Sequence, residues 1–350
     1  MQHGGNITRY QAEWGWRRED LADFSANLNP LGPPHSVMQA IREALSAIAD
    51  YPDPHGNRVL SALAAEWHLP ENRFLLGNGA AELIFLAMRL LRPKTIATLA
   101  PAFREYEQAA RLEGAEILRI PLRAENGFLP EADQILPVLA KADLLVLANP
   151  NNPTGRCVPP DTLGELLQAT KKTGTWMLVD EAFLDFLPDD EKRSLIPHID
   201  SHHKLIVIRS LTKFYSIPGI RIGYLAAAGH LIKRLRQLQV PWSVNSLAQA
   251  AAVAALSDEG FRLKTLEWLA IERQYLMEQL VSRGYEVVPS DANFLLVWRP
   301  DIDIEQLWPQ LAGKGLFVRD CRSFAGLDGT YFRIAIRSRE ENERLLWALP

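Results

Sequence analysis

Cysteine is almost absent. Cys157 and Cys321 are the only two in 350 residues, and their wide separation speaks for two reduced thiols, not a disulfide framework. An excess of basic charge is missing as well: 38 Lys and Arg stand against 42 Asp and Glu, for a net charge of −4. With a pI near 6.1, the chain offers no electrostatic footprint for a nucleic acid, and none is expected as partner. Long hydrophobic runs are also lacking. The longest apolar stretches, residues 144–148 and 250–256, fall far short of the roughly 20 residues of a membrane span. Residues 1–6 show neither the basic nor the apolar region of an export signal, so a cytoplasmic location is expected. No repeat, low-complexity segment or metal-ligand cluster stands out.

What is present reads as an ordinary globular chain. A composition of 47% hydrophobic and 23% charged residues and this length suit about two domains. Residues 1–35 form an extended arm, because Pro30, Gly32, Pro33 and Pro34 bar a helix until one starts near Ser36; the arm is expected to pack with the small domain. Short continuous apolar runs at 74–76, 95–99, 116–120, 144–148, 176–179 and 205–208 alternate with helical stretches. That pattern predicts an α/β fold whose large domain, residues 36–240, has a mostly parallel sheet covered by helices on both faces. Residues 241–350 carry a long linking helical region, 247 to about 282 with Gly260 as a possible interruption, and then a small α/β domain with strands near 286–288, 294–298, 316–319 and 331–336.

In such sheets ligands bind beyond the carboxyl ends of the strands, so the segments after those ends carry the chemistry. Lys213 follows the run at 205–208, with Ser210 three residues before it and Arg221 eight after. A lysine just past a buried strand must have its charge paired or its amine used, and a hydroxyl and an arginine beside it suit a phosphate. Together they fit a Schiff base to pyridoxal phosphate. After the run at 74–76, Gly77 to Ala81 turn straight into a helix, which aims backbone N–H groups at an anion that Ala80 and Ala81 are too small to block. Asp180 ends another strand, where a fixed carboxylate would keep a pyridine nitrogen protonated. Asn152 can donate to the ring's phenolic oxygen and Phe103 can lie against the ring face. Taken singly, each has a structural alternative: Asp180 as a helix cap, Asn152 as a turn residue, Phe103 as core, His3 and Asn27 as tail and loop. Among the C-terminal arginines, Arg319 and Arg333 suit anionic groups; Arg322 reads as a surface ion pair and Arg337 stays open.

The stretches NPNNPTG at 149–155, DEA at 180–182 and SLTK at 210–213 with Arg221, in this order, resemble the fold-type I pyridoxal-phosphate enzymes of the aminotransferase class I/II superfamily over essentially the whole chain. Within it the sequence is similar to two families, the histidinol-phosphate aminotransferases and, more closely, the threonine-phosphate decarboxylases of cobalamin synthesis. For the latter the similarity lies in HGGN at 3–6, FSANLNP at 24–30, PWSVN at 241–245 and VRDCRSFAGL at 318–327. This resemblance implies a lyase that decarboxylates L-threonine O-3-phosphate to (R)-1-aminopropan-2-ol O-phosphate. It implies pyridoxal 5'-phosphate bonded to Lys213, paired through Asp180 and Asn152, stacked on Phe103, and held at its phosphate by Ala80, Ala81, Ser210 and Arg221. It further implies a homodimer in which Tyr51 reaches the other subunit's phosphate, Arg333 on the substrate carboxylate, and Arg319, His3 and Asn27 on the substrate phosphate. Phe183 stands where the aminotransferases usually place a tyrosine, which weakens the transaminase alternative. A noncatalytic binding module of the same fold would not need Lys213, Asp180 and Asn152 together.

Overall fold

The apolar runs become strands, and all but the one at the sheet edge, residues 116–121, are buried on both faces. In the computed structural model, which describes residues 4–350, the strands are β1 (Ala22–Asp23), β2 (Phe74–Gly77), β3 (Thr95–Ala100), β4 (Glu116–Pro121), β5 (Leu144–Ala148), β6 (Trp176–Asp180), β7 (Leu205–Ser210), β8 (Gly223–Ala227), β9 (Glu286–Val287), β10 (Phe294–Trp298), β11 (Leu316–Phe317), β12 (Arg319–Asp320) and β13 (Tyr331–Ala335). Seven of them form one sheet in the order β2-β8-β7-β6-β5-β3-β4. In it β8 runs antiparallel to β2 and β7, and the remaining pairs are parallel. His3 lies outside the described residues.

Because successive side chains leave a strand on opposite faces, each central strand feeds two cores. Leu144, Val146, Ile206 and Ile208 pack with the helices Ala80–Leu91, Glu105–Leu112 and Gly229–Leu238. Leu145, Leu147, Leu205 and Val207 pack on the other side with Asn57–Trp67, Ala132–Leu139 and Pro160–Thr173. Each such buried aliphatic side chain contributes about 1.5–3 kcal/mol. Only a helix-covered parallel sheet needs strands this uniformly apolar, and their polar residues are displaced to the strand ends.

The C-terminal part forms a second, antiparallel sheet, β12-β13-β10-β9, carrying the helices Glu259–Ser282, Ile304–Ala312 and Arg339–Ala348. The N-terminal arm docks on this part. β1 pairs in parallel with β11, Trp16 Nε1 donates to the carbonyl of Ala312 at 2.8 Å, and Tyr10 stacks on Phe317 with ring centres 3.9 Å apart. The single strand expected over 316–319 is thereby divided: Leu316 and Phe317 pair with the arm, whereas Arg319 and Asp320 pair with β13.

The helical region expected from 247 to 282 is two helices, Ser246–Leu256 and Glu259–Ser282, and the break is at Ser257 and Asp258, ahead of Gly260. Asp258 causes it. Its carboxylate accepts from the backbone N–H of Phe261 at 2.9 Å as an N-cap and from the Ser36 hydroxyl, which ties the second helix to the start of the helix His35–Glu43. Helix Ser246–Leu256 packs against His35–Glu43 and Asn57–Trp67. Its contacts therefore group it with the large sheet, and we propose that the division expected at 241 falls at this break. Among the described residues no helix is long and apolar enough to cross a membrane.

Replacing Asp258 by alanine removes both the cap and the tie to Ser36. A loss of about 1–2 kcal/mol is expected, read as a lower urea midpoint at unchanged slope.

Candidate active site

Strand β5 ends at Ala148, β6 at Asp180 and β7 at Ser210, and these three residues line one cavity of about 370 Å³. Opposite them the wall is closed by the arm, through Gly4, Gly5 and Ser25 to Leu28, and by Arg319, Ser323, Phe324 and Arg333 of the second sheet. Lys213 enters from the short helix Leu211–Phe214 that follows β7. Its Nζ donates to Thr212 Oγ1 at 3.2 Å, and Thr212 Oγ1 lies 2.8 Å from Ser210 Oγ. Removal from water, helped by the Arg221 guanidinium, brings the amine down from its ordinary 10.5 to about 8. A lysine so placed is neutral in about one molecule in ten at pH 7, against fewer than about one in a thousand at its ordinary value.

Beside it lies an anion cradle. Helix Ala80–Leu91 begins at Gly79, which supplies no capping side chain, so the first N–H groups at Ala80 and Ala81 are left for a ligand. Gly79 has φ +81°, and a Cβ there would fall 2.2 Å from Arg221 Nη2. The bare Cα is what lets the guanidinium close over the helix start. Gly223 does the same from β8, where a Cβ would meet the Ala80 nitrogen at 2.9 Å. Arg221 itself holds a left-handed φ of +59°, a strained backbone of the sort kept at functional sites. Bare N–H groups, Ser210 Oγ and a guanidinium form a donor set that fits a phosphate dianion.

On the cavity floor, Asp180 is buried and accepts two hydrogen bonds, from Tyr106 Oη at 2.7 Å onto Oδ2 and from the Ala182 N–H at 3.0 Å onto Oδ1. Burial raises its pKa and those two donors pull it back. Among the described residues no cation forms an ion pair with it, so this carboxylate fits a cationic ligand group, such as a protonated ring nitrogen. Phe103 forms one wall and meets the edge of Tyr106, ring centres 5.6 Å apart. Asn152 Oδ1 accepts from Arg333 Nη1, whose Nη2 donates to the Ser25 carbonyl at 2.7 Å. That leaves the Asn152 amide hydrogens toward the cavity. Arg319 and Arg333 are direct partners across the β12–β13 ladder, so both guanidinium groups leave one face of the sheet into one space. Arg319 Nη2 donates to Ser323 Oγ at 2.7 Å.

The structure thus brings together Lys213, Ala80, Ala81, Phe103, Asn152, Asp180, Ser210, Arg221, Asn27, Arg319 and Arg333. Tyr51 is elsewhere: it is 80% exposed and its ring lies 4.6 Å from that of Trp242. Arg322 is held at the surface by Asp320 and Glu305. Arg337 is engaged by Glu341 and the Asp23 carbonyl, so it braces the arm and does not line the cavity. Sequence reasoning passed over Tyr106, Thr212, Ser25 and Glu105. Tyr106 stands three residues after Phe103, which lies just ahead of helix Glu105–Leu112, and that spacing was the signal available; Ser25 acts through its carbonyl, which leaves none.

A model of the family described as Aminotransferase class I and II matches residues 19–349. The chain is 39% identical to a threonine-phosphate decarboxylase of Salmonella typhimurium, covering 99% of this chain and 95% of that one. Among solved structures it is similar to the histidinol-phosphate aminotransferase of Clostridium acetobutylicum, with a TM-score of 0.87 and 31% identity over 93% of this chain and 97% of that one. It is also similar to the L-threonine-O-3-phosphate decarboxylase of Porphyromonas gingivalis, with a TM-score of 0.81 and 26% identity over 93% and 97% of the two chains.

Two outcomes are expected of the site itself. Gly79→Ala, which drives a methyl into Arg221, should weaken pyridoxal phosphate retention at least tenfold, measured by fluorescence titration of the apoprotein. In competitive labelling of the apoprotein with acetic anhydride, Lys213 should acylate with a midpoint near pH 8 and not 10.5. The folded state binds fewer protons than the unfolded one between about 8 and 10.5, so this group's burial penalty is full below about 8 and fades as pH rises through that window.

Proposed function

The chain belongs to the aminotransferase class I and II family of pyridoxal 5'-phosphate enzymes, and from that premise we propose that it decarboxylates L-threonine O-3-phosphate, yielding (R)-1-aminopropan-2-ol O-phosphate for cobalamin synthesis. The observation that carries this reading is the pair Arg319 and Arg333, laddered across two strands and opening into the same cavity as Lys213. A substrate with a carboxylate and a phosphate on neighbouring carbons presents two anions to two guanidinium groups. The relative at 39% identity carries that chemistry in its name, and the backbone likeness to both kinds of enzyme does not decide between them.

Lys213, Asp180, Asn152 and Phe103 would hold the cofactor's ring, while Ala80, Ala81, Ser210 and Arg221 would hold its phosphate. When bound, pyridoxal phosphate supplies the electron sink for the pair released at the substrate's Cα. The protein decides which pair that is. A single anchor leaves rotation about Cα open; Arg333 on the carboxylate and Arg319 with Asn27 on the phosphate fix it, an orientation effect worth several kcal/mol. The bond to the carboxylate breaks, CO₂ leaves, and a proton from the Lys213 ammonium takes its place on Cα. With an ordinary pKa brought to about 8, that amine can both take and give a proton near neutrality. The Phe183 ring, 5.0 Å from Phe294, brings no hydroxyl to this wall.

Tyr51 supports a homodimer with shared sites. It is exposed and lies against the exposed Trp242, an apolar pair facing solvent on one chain, and Tyr51 would complete the phosphate cradle of a second copy.

Incubation with threonine phosphate should release CO₂ stoichiometrically with aminopropanol phosphate, and 2-oxoglutarate should yield no glutamate. Arg319→Ala should raise KM for threonine phosphate by about 100-fold, the loss of a charge-assisted anchor, and Lys213→Ala should abolish turnover. Glutamate formed from histidinol phosphate without CO₂ release from threonine phosphate would instead assign the chain to transamination.

A further inference from the structure

Asp180 holds a costly position. A carboxylate with no water around it favours its neutral form, yet a neutral acid there could not keep a ring nitrogen protonated. Two hydrogen bonds oppose that drift, and the Lys213 charge adds to them. The Ala182 N–H is fixed by the backbone of the turn after β6, and it would be present whatever side chains surrounded it. The Tyr106 hydroxyl is different, because it is a chosen side chain. It is 1% exposed, sits in the first turn of helix Glu105–Leu112, and reaches across from the far side of β5 to place its proton 2.7 Å from Asp180 Oδ2. Burial and the Asp180 charge push the phenol's own pKa upward, so between these two groups the phenol keeps its proton and only donates.

Its orientation is fixed from outside the pair. Phe103 presents an edge-to-face contact at 76°, and the ring packs within the same core as Ile206 and Ile208. We propose that Tyr106 is a positioning residue for the cofactor's ring nitrogen: its hydroxyl keeps Asp180 ionised and points the carboxylate at that nitrogen. The inference rests on the cofactor reading above and adds to it a group that acts through Asp180.

The test uses two probes on the full-length apoprotein: pyridoxal phosphate and its 1-deaza analogue, in which the ring nitrogen is replaced by C–H. Affinity is read by absorbance and fluorescence titration, with thermal melting as the check on folding. Wild type should bind pyridoxal phosphate more tightly than the analogue. Tyr106→Phe keeps the ring and the contact with Phe103, and it should bind pyridoxal phosphate about tenfold more weakly while its affinity for the analogue stays unchanged. Equal loss on both probes would mean that Tyr106 merely shapes the wall, and no loss on pyridoxal phosphate would mean that its hydroxyl is idle; either overturns the proposal. Wild type that does not distinguish the two probes would overturn the role of Asp180 itself, a separate failure. Should Tyr106→Phe not fold, Asp180→Asn and the double variant Asp180→Asn/Tyr106→Phe, which removes the buried charge along with its donor, are compared. Equal affinities for pyridoxal phosphate are expected, and a further loss in the double variant would overturn the proposal.

Discussion

One buried arginine holds together two of the strand ends on which the site is built. Arg209, 1% exposed, lies one residue before Ser210 on β7, and its guanidinium donates to Glu181 at 3.3 Å, Asp185 at 2.9 Å and Asp190 at 2.7 Å, over the face of Trp67. Because side chains alternate, Ser210 and Asp180 face the cavity while Arg209 and Glu181, their neighbours in sequence, face away from it. Charge buried behind the sheet therefore sets the relative position of the carboxylate and the hydroxyl in front of it. Such clusters rarely raise stability over an apolar substitute, but breaking one leaves uncompensated charge worth about 3–5 kcal/mol. Burial already lifts Glu181 to about 7 against the pull of Arg209. The arrangement makes sense as a device for register, which is what a site assembled from several strand ends requires.

A second constraint acts at the loops. Lys213 and Arg221 leave the same connection between β7 and β8, and Gly79 and Gly223 remove the side chains that would keep that connection from the start of helix Ala80–Leu91. The helix N-terminus, the guanidinium and the amine are thus neighbours because two residues have no Cβ. The second sheet then closes the cavity from the other side. Arg319 and Arg333 arrive as a cross-strand pair, and the arm is tied to them because the Ser25 carbonyl accepts from Arg333. Ser25 is itself fixed by Asp23, whose carboxylate takes both its N–H and its hydroxyl.

Much of this was legible in order. Strand-end residues announce themselves, since a polar or charged residue directly after a buried apolar run, as at Asp180 and Lys213, has few bland explanations once several occur together. The parallel sheet followed from uniform apolar strands with helical spacers. What sequence did not show are features decided by contact. The helix break moved from Gly260 to Asp258 because a cap and a tie to Ser36 outweigh the lower helix propensity of one glycine. The strand near 316–319 divided because its two halves find different partners. Helix Ser246–Leu256 lies with the large sheet, although its composition runs on into the helix after it. Tyr106 and the carbonyl of Ser25 were hidden for a simpler reason: a tyrosine among apolar helix residues looks like core, and a backbone carbonyl has no sequence signature at all.

The charge in the cavity explains why these parts stay poised for ligands. Among the described residues, Arg104, Lys213, Arg221, Arg319 and Arg333 line it against only Asp180 and Glu105. Lost solvation, with repulsion between the cations second to it, brings Lys213 down to about 8 and Arg333 to about 10, so part of the folding free energy is held in reserve until anions arrive, and binding them stabilises the fold by linkage. The effect on Lys213 has a direction. An anion seated against Arg221 offsets the field that depresses the lysine, so the amine is most readily neutral while the cradle is empty and holds a proton more firmly once phosphate and substrate anions are in place. The same cation excess that draws anions in therefore also sets how firmly the lysine holds its proton.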